Sequence, residues 1–163
     1  MTRVALIEAL KETCEEAVKG MDLPLSLQKG DKEVQTRVPT VYRMRLPNSK
    51  STNKLAPYII VQLIDSKQVH IPNEPKPKFT ATVRLICCVQ CEDESIGGIM
   101  LLNLLDRLQI HILKQTKIGR CFVRDVNEPF ETIVYPDDTA PYFLGELIGT
   151  FHLPPIQQEV DFT

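Results

Sequence analysis

Apolar positions recur at helical spacing from Thr2 to Lys19, through Val4, Ile7, Leu10, Cys14, Ala17 and Val18, with charged residues between them. A stripe of that period predicts an amphipathic helix. Thr2 stands where an N-cap belongs, Glu15 precedes Lys19 by four residues, and Gly20 followed by Pro24 supplies the stop. The period then changes to two: from Thr40 to Leu46, Tyr42, Met44 and Leu46 alternate with Arg43 and Arg45 between Pro39 and Pro47, which predicts a half-exposed strand. Asn48 to Ala56 is rich in Ser, Thr, Asn and Lys and reads as a mobile loop or hairpin tip, after which Tyr58 to Ile64 reads as a buried strand. Asp65 to Lys78 carries Pro72, Pro75 and Pro77, which cannot donate to a central ladder, so this stretch is expected as an extended arm over the surface.

The clearest strand signal runs from Phe79 to Cys91, where every second residue is apolar. Glu92, Asp93, Glu94 and Ser95 then offer caps and negative charge for a helix start, and a second helix is expected from Ile96 to Gln115. Its apolar residues cover more than one stripe, a pattern explained by core packing on a broad face or by contact with another subunit. Three shorter strands follow, Cys121 to Val126, Thr132 to Tyr135 and Leu144 to Leu153, and Pro154 and Pro155 end the last. Helix, three strands, helix, three strands shows no βαβ alternation and no repeat. The expected fold is α+β: a mixed, mainly antiparallel sheet flanked by two helices on one face.

Length and composition narrow the class. A chain of 163 residues, 43% hydrophobic and with a formal charge of −2, forms one domain able to bury about 69% of its surface, with excursions near 47–57 and 65–78 and a tail at 154–163. The apolar run from Ile96 to Leu113 is interrupted by Asn103, Asp106, Arg107 and His111, which makes it a poor membrane span, and the charged N-terminal pattern is unlike a signal peptide. A cytoplasmic site of synthesis and no membrane partner are expected. Five cysteines, an odd number without framework spacing, are expected as free thiols. Cys88 and Cys91 form a single CxxC, but three residues apart on a strand they face opposite ways and do not chelate one metal. There is no glycine-rich phosphate loop, no nucleophile elbow and no metalloprotease pattern, and the aromatic content of 6% offers no stacking platform for a nucleic acid strand. Asp137 and Asp138, between Pro136 and Pro141, read as turn formers rather than acid–base carboxylates. No catalytic residue, cofactor or metal is assigned.

Charge is laid out unevenly. Between Glu33 and Asp65 stand Arg37, Arg43, Arg45, Lys50 and Lys54 with no acid, whereas from Asp125 onward come Asp125, Glu128, Glu131, Asp137 and Asp138, then Glu146, Glu159 and Asp161, with no lysine or arginine. Two arrangements account for this. The two segments are neighbouring strands whose charges compensate inside the monomer, or they form opposite faces of a head-to-tail contact between subunits, in which unlike faces attract and like faces repel. The ten residues from Arg37 to Lys54 and Asp125 to Asp138 named first are thus the candidates for a subunit interface. A third use of the basic segment is contact with DNA phosphates.

The order of elements, with the strands Pro57-Tyr58-Ile59-Ile60-Val61-Gln62-Leu63 and Ala81-Thr82-Val83-Arg84-Leu85-Ile86-Cys87 leading to the leucine-rich helix and a closing strand group, resembles the small tail-terminator proteins of tailed bacteriophages and phage tail-like particles. The resemblance implies a non-enzymatic assembly protein that forms a hexameric ring on the last ring of the tail tube protein, stops tail polymerisation, and presents a surface to the neck or head connector and, in a contractile tail, to the sheath. It implies a place in the virion tail after assembly in the bacterial cytoplasm. A neck or head-completion subunit and a small nucleic-acid-associated protein are the alternative expectations.

Overall fold

The computed structural model describes residues 2–26, 32–48, 55–136, 140–157 and 159. Helix α1 (Arg3–Ala17) starts where Thr2 accepts a hydrogen bond from the Ala5 amide at 3.3 Å. After it come β1 (Leu23–Pro24), β2 (Thr36–Arg37), β3 (Thr40–Arg43), β4 (Tyr58–Val69) and β5 (Lys78–Gln90). Helix α2 (Glu94–Leu113) follows, capped by Asp93, whose carboxylate accepts from the Ser95 amide at 2.9 Å and from its hydroxyl at 2.6 Å. Those hydrogen bonds hold the Asp93 carboxyl below its usual range. Strands β6 (Val123–Arg124), β7 (Glu131–Val134) and β8 (Tyr142–Leu153) complete the chain.

The main sheet runs β3-β4-β5-β8-β6, with β7 also paired to β8, and among the described strands β3–β4 is the one parallel pair. The fold is therefore α+β with a mixed, mostly antiparallel sheet. The alternation read in β5 divides its side chains between two faces. Ala81, Val83, Leu85, Cys87 and Val89 join the core with Leu6, Leu10 and Cys14 of α1, Leu101, Leu104, Leu105 and Leu108 of α2, and Leu147 and Phe151 of β8. On the other face Cys88 packs with Ala56, Tyr58 and Ile60 in a smaller cluster. Both helices thus cover one face: α1 over β3 and β4, α2 over β5 and β8.

Four boundaries depart from the sequence pattern. Strand β3 ends at Arg43 because Met44 turns with φ 64°, and the Arg45 amide bonds back to the Arg43 carbonyl at 2.7 Å. The segment beginning at Asp65 is not a separate arm. Strand β4 continues to Val69 past a bulge at 63–65, pairing with β5 all the way, and only 70–77, which holds the three prolines, lies between the strands. Past the bulge β4 is mostly polar on both faces, so no alternation signals the extension. Strand β6 shrinks to two residues, while β8 begins two residues before the expected start. Most of the expected loop, 49–54, and the end of the tail, 158 and 160–163, lie outside the described residues.

Helix α2 is long and apolar enough by composition to cross a bilayer, yet its inner face packs on β5 and β8. Gly97 fixes its approach: a Cβ there would lie 2.0 Å from the Phe143 ring of β8. Replacing Gly97 by alanine gains about 1 kcal/mol of helix propensity but forces a ring displacement costing about 1–3 kcal/mol. The expected outcome is a net loss of about 1 kcal/mol in urea unfolding, and a more stable variant would show that Phe143 is not the contact that sets the helix height.

Candidate assembly surfaces

The described candidates fall into two groups. Strand β3 lies at one edge of the sheet and carries Arg43, with Arg45 just beyond. Strand β7, with Glu131, and the turn before it, with Glu128, lie at the opposite edge. Three strands separate the two, so the described residues of the two segments are not neighbours. Lys50, Lys54, Asp137 and Asp138 lie outside the described residues.

Two candidates are engaged inside the fold. Arg37 is half-buried and donates from its guanidinium to the carbonyls of Leu55 and Pro57, the latter at 3.2 Å, tying the start of β4 to β2. Asp125 is 1% exposed; its Oδ2 lies 2.9 Å from Lys78 Nζ and 3.6 Å from His152 Nε2, and its Oδ1 accepts from the Asn127 amide at 3.0 Å. Both are positioned by the ladder and not offered to a partner. Arg43 pairs with Glu8 of α1 but stays exposed. Arg45 donates to Asn48 Oδ1 at 2.7 Å, and Glu128 and Glu131 are exposed.

Beside the basic edge the structure opens a groove of about 550 Å³ that charge patterning does not announce. Val4 and Ile7 of α1, Met44 and Leu63 form its apolar wall, and Arg3, Glu8 and Arg43 its charged members. Val4 is 68% exposed and Met44 41%. The signal was present as Val4 in the helical stripe, but the stripe does not say that β3 stops too early to cover it. Beside the acidic edge, α2 leaves Leu102 and Leu113 exposed, and β7 exposes Ile133 and Val134. A smaller cavity of about 250 Å³ on the face away from the helices is lined by Lys67, Lys78, three threonines, Asp125 and Glu128.

The cysteines are free, with four buried and Cys121 half-buried. Burial, with Glu15 adding, pushes the Cys14 thiol up to about 12, and burial pushes Cys88 up to about 11 against a hydrogen bond with Tyr58. These thiols stay protonated at neutral pH and make poor nucleophiles and ligands. Among the described residues no cluster of three His, Cys, Asp or Glu is placed to hold a metal ion. No family model and no curated protein matches this chain.

Burial works to raise the Asp125 pKa, but the Lys78 ammonium, the Asn127 amide and nearby His152 outweigh it and hold the carboxyl below its usual range. A depressed carboxyl stabilises the fold fully above its unfolded pKa of about 3.9, and that contribution is lost as pH falls toward the folded value. The stability gap between the native chain and Asp125→Asn is therefore expected to be largest near neutrality and to close below about pH 4. Urea titrations of both proteins across that range check it; a gap that stays constant with pH would refute the ion pair's role.

Proposed function

We propose that this chain is a non-enzymatic tail-terminator subunit: it forms a ring on the end of a tail tube, stops tube growth, and offers its other surface to a neck or head connector. The observation that carries this reading is the placement of basic β3 and acidic β7 on opposite edges of one sheet. A ring built head to tail needs two different, complementary faces on each copy, and like-charged edges disfavour symmetric pairing. The resemblance in length and element order supplies the tail, and the stoichiometry of six comes from it alone.

The DNA reading loses support residue by residue. Arg37 is committed to two backbone carbonyls, Arg43 shares its charge with Glu8, and Arg45 donates to the side-chain carbonyl of Asn48, so each of the three described arginines of that segment already has a partner within the fold. A phosphate-binding face needs several free cations acting together.

The test is electron microscopy of tails assembled with and without the protein. Overlong tubes without heads are expected in its absence. Tails of normal length that fail to join heads would move the protein to the neck, and unaltered particles would discard a role in the tail.

A further inference from the structure

The two edges match in more than charge. Following the ladder across the sheet, Val41 of β3 lies level with Ile59, Cys87 and Gly145 and so with Val134 of β7; Arg43 lies level with Val61, Leu85, Leu147 and Thr132. The two edge strands therefore stand at the same height, separated by four strand spacings, or about 19 Å. Strand β3 is parallel to β4, and β4, β5, β8 and β7 then alternate in direction. Thus β3 and β7 run oppositely. Two copies placed side by side in the same orientation would present β7 of one antiparallel to β3 of the next.

The helix layer matches as well. Thr132 of β7 donates to Gln109 of α2 at 3.1 Å, which identifies the α2 flank over the acidic edge. Leu102, Asp106 and Leu113 share that flank, seven and three residues before Gln109 and four after it. Leu102 and Leu113 are 41% and 40% exposed and Val134 is 47% exposed. This apolar flank, with Asp106 on it, is complementary to the groove walled by Val4, Ile7, Met44 and Leu63, which holds Arg3 and the paired Arg43 and Glu8.

We propose that the occupant of this groove is a second copy of the chain: the β7 edge and α2 flank of one subunit dock against the β3 edge and α1 groove of the next, continuing both the sheet and the helix layer across the contact. The proposal rests on the ring reading for the fact of self-association and adds the surfaces that carry it. Isologous pairing is disfavoured, because β3 against β3 brings Arg43 and Arg45 together, and β7 against β7 does the same for Glu131.

The test uses the full chain in sedimentation velocity with two exposed substitutions, Arg45→Glu and Glu131→Arg. Each alone is expected to weaken self-association about tenfold or more, since one attractive pair becomes repulsive at every contact. An equimolar mixture is expected to restore it, because each junction then joins an intact edge to an intact edge or a reversed edge to a reversed one. Val134→Asp, which removes the apolar contact, is expected to weaken association without rescue by either partner. Thermal melting confirms that each variant is folded. Folded single variants that associate like the native chain, a mixture no better than its components, or a native chain that stays monomeric to about 0.5 mM, the weak end of specific association, would overturn the proposal. Native assemblies that obey the mixing rule yet leave tail length unchanged would overturn the tail assignment and keep the interface; variants that fail to associate yet cap tails would do the reverse.

Discussion

Strand β5 is hydrogen-bonded on both sides along nearly its whole length, to β4 on one and β8 on the other. Everything else is arranged around that constraint. A strand paired on both edges has only its faces left to bury, and its alternation sends Val83, Leu85, Cys87 and Val89 under the two helices while Thr82, Arg84, Ile86 and Cys88 go to the other side. Because α1 and α2 both lie on the first face, the second must be satisfied locally. It is, in two ways: a small apolar cluster around Tyr58 and Cys88 at one end, and a polar network at the other, where Arg84 donates to Gln62 and Thr82 meets Thr150. A one-residue slip of β5 would exchange these two sets and expose the core.

That division explains what the sequence disclosed. Helix α1 was legible because its stripe answers to a core on one side only, α2 because a long apolar run follows a cluster of caps, and both starts because Thr2 and Asp93 are local caps that need no tertiary context. Strand β5 was legible because its two faces differ. The outer half of β4 was not, since beyond the bulge Asp65, Lys67 and Gln68 have no apolar layer beneath them to impose a period. The pair β1–β2, two residues on each side, is too short to produce any pattern.

The charged candidates show the same limit more sharply. Their segregation is a property of order along the chain, and so it was visible; which edge each segment occupies is a property of strand order, and so it was not. Asp125 illustrates the difference. In sequence it opens an acidic run, whereas in the fold it is sealed beneath Lys78 and His152 as a link between β5, β6 and β8. Arg37, likewise one of five cations in a row, serves backbone carbonyls. Neither role is written in residue type or spacing, because both depend on a carbonyl or a lysine brought from elsewhere in the chain.

The turn at Met44 has one more consequence. By bending the chain out of line after Arg43, it leaves the outer side of β3, unpaired among the described residues, only four residues long, about 13 Å. An open edge of that length is a poor template for stray extended peptides, since the few hydrogen bonds it offers do not repay the ordering of a flexible chain. A rigid strand already held in a folded body forfeits far less freedom on arrival. The short edge thus separates folded neighbours from unfolded ones, and guards the protein against the amyloid-like stacking to which longer bare strands are prone.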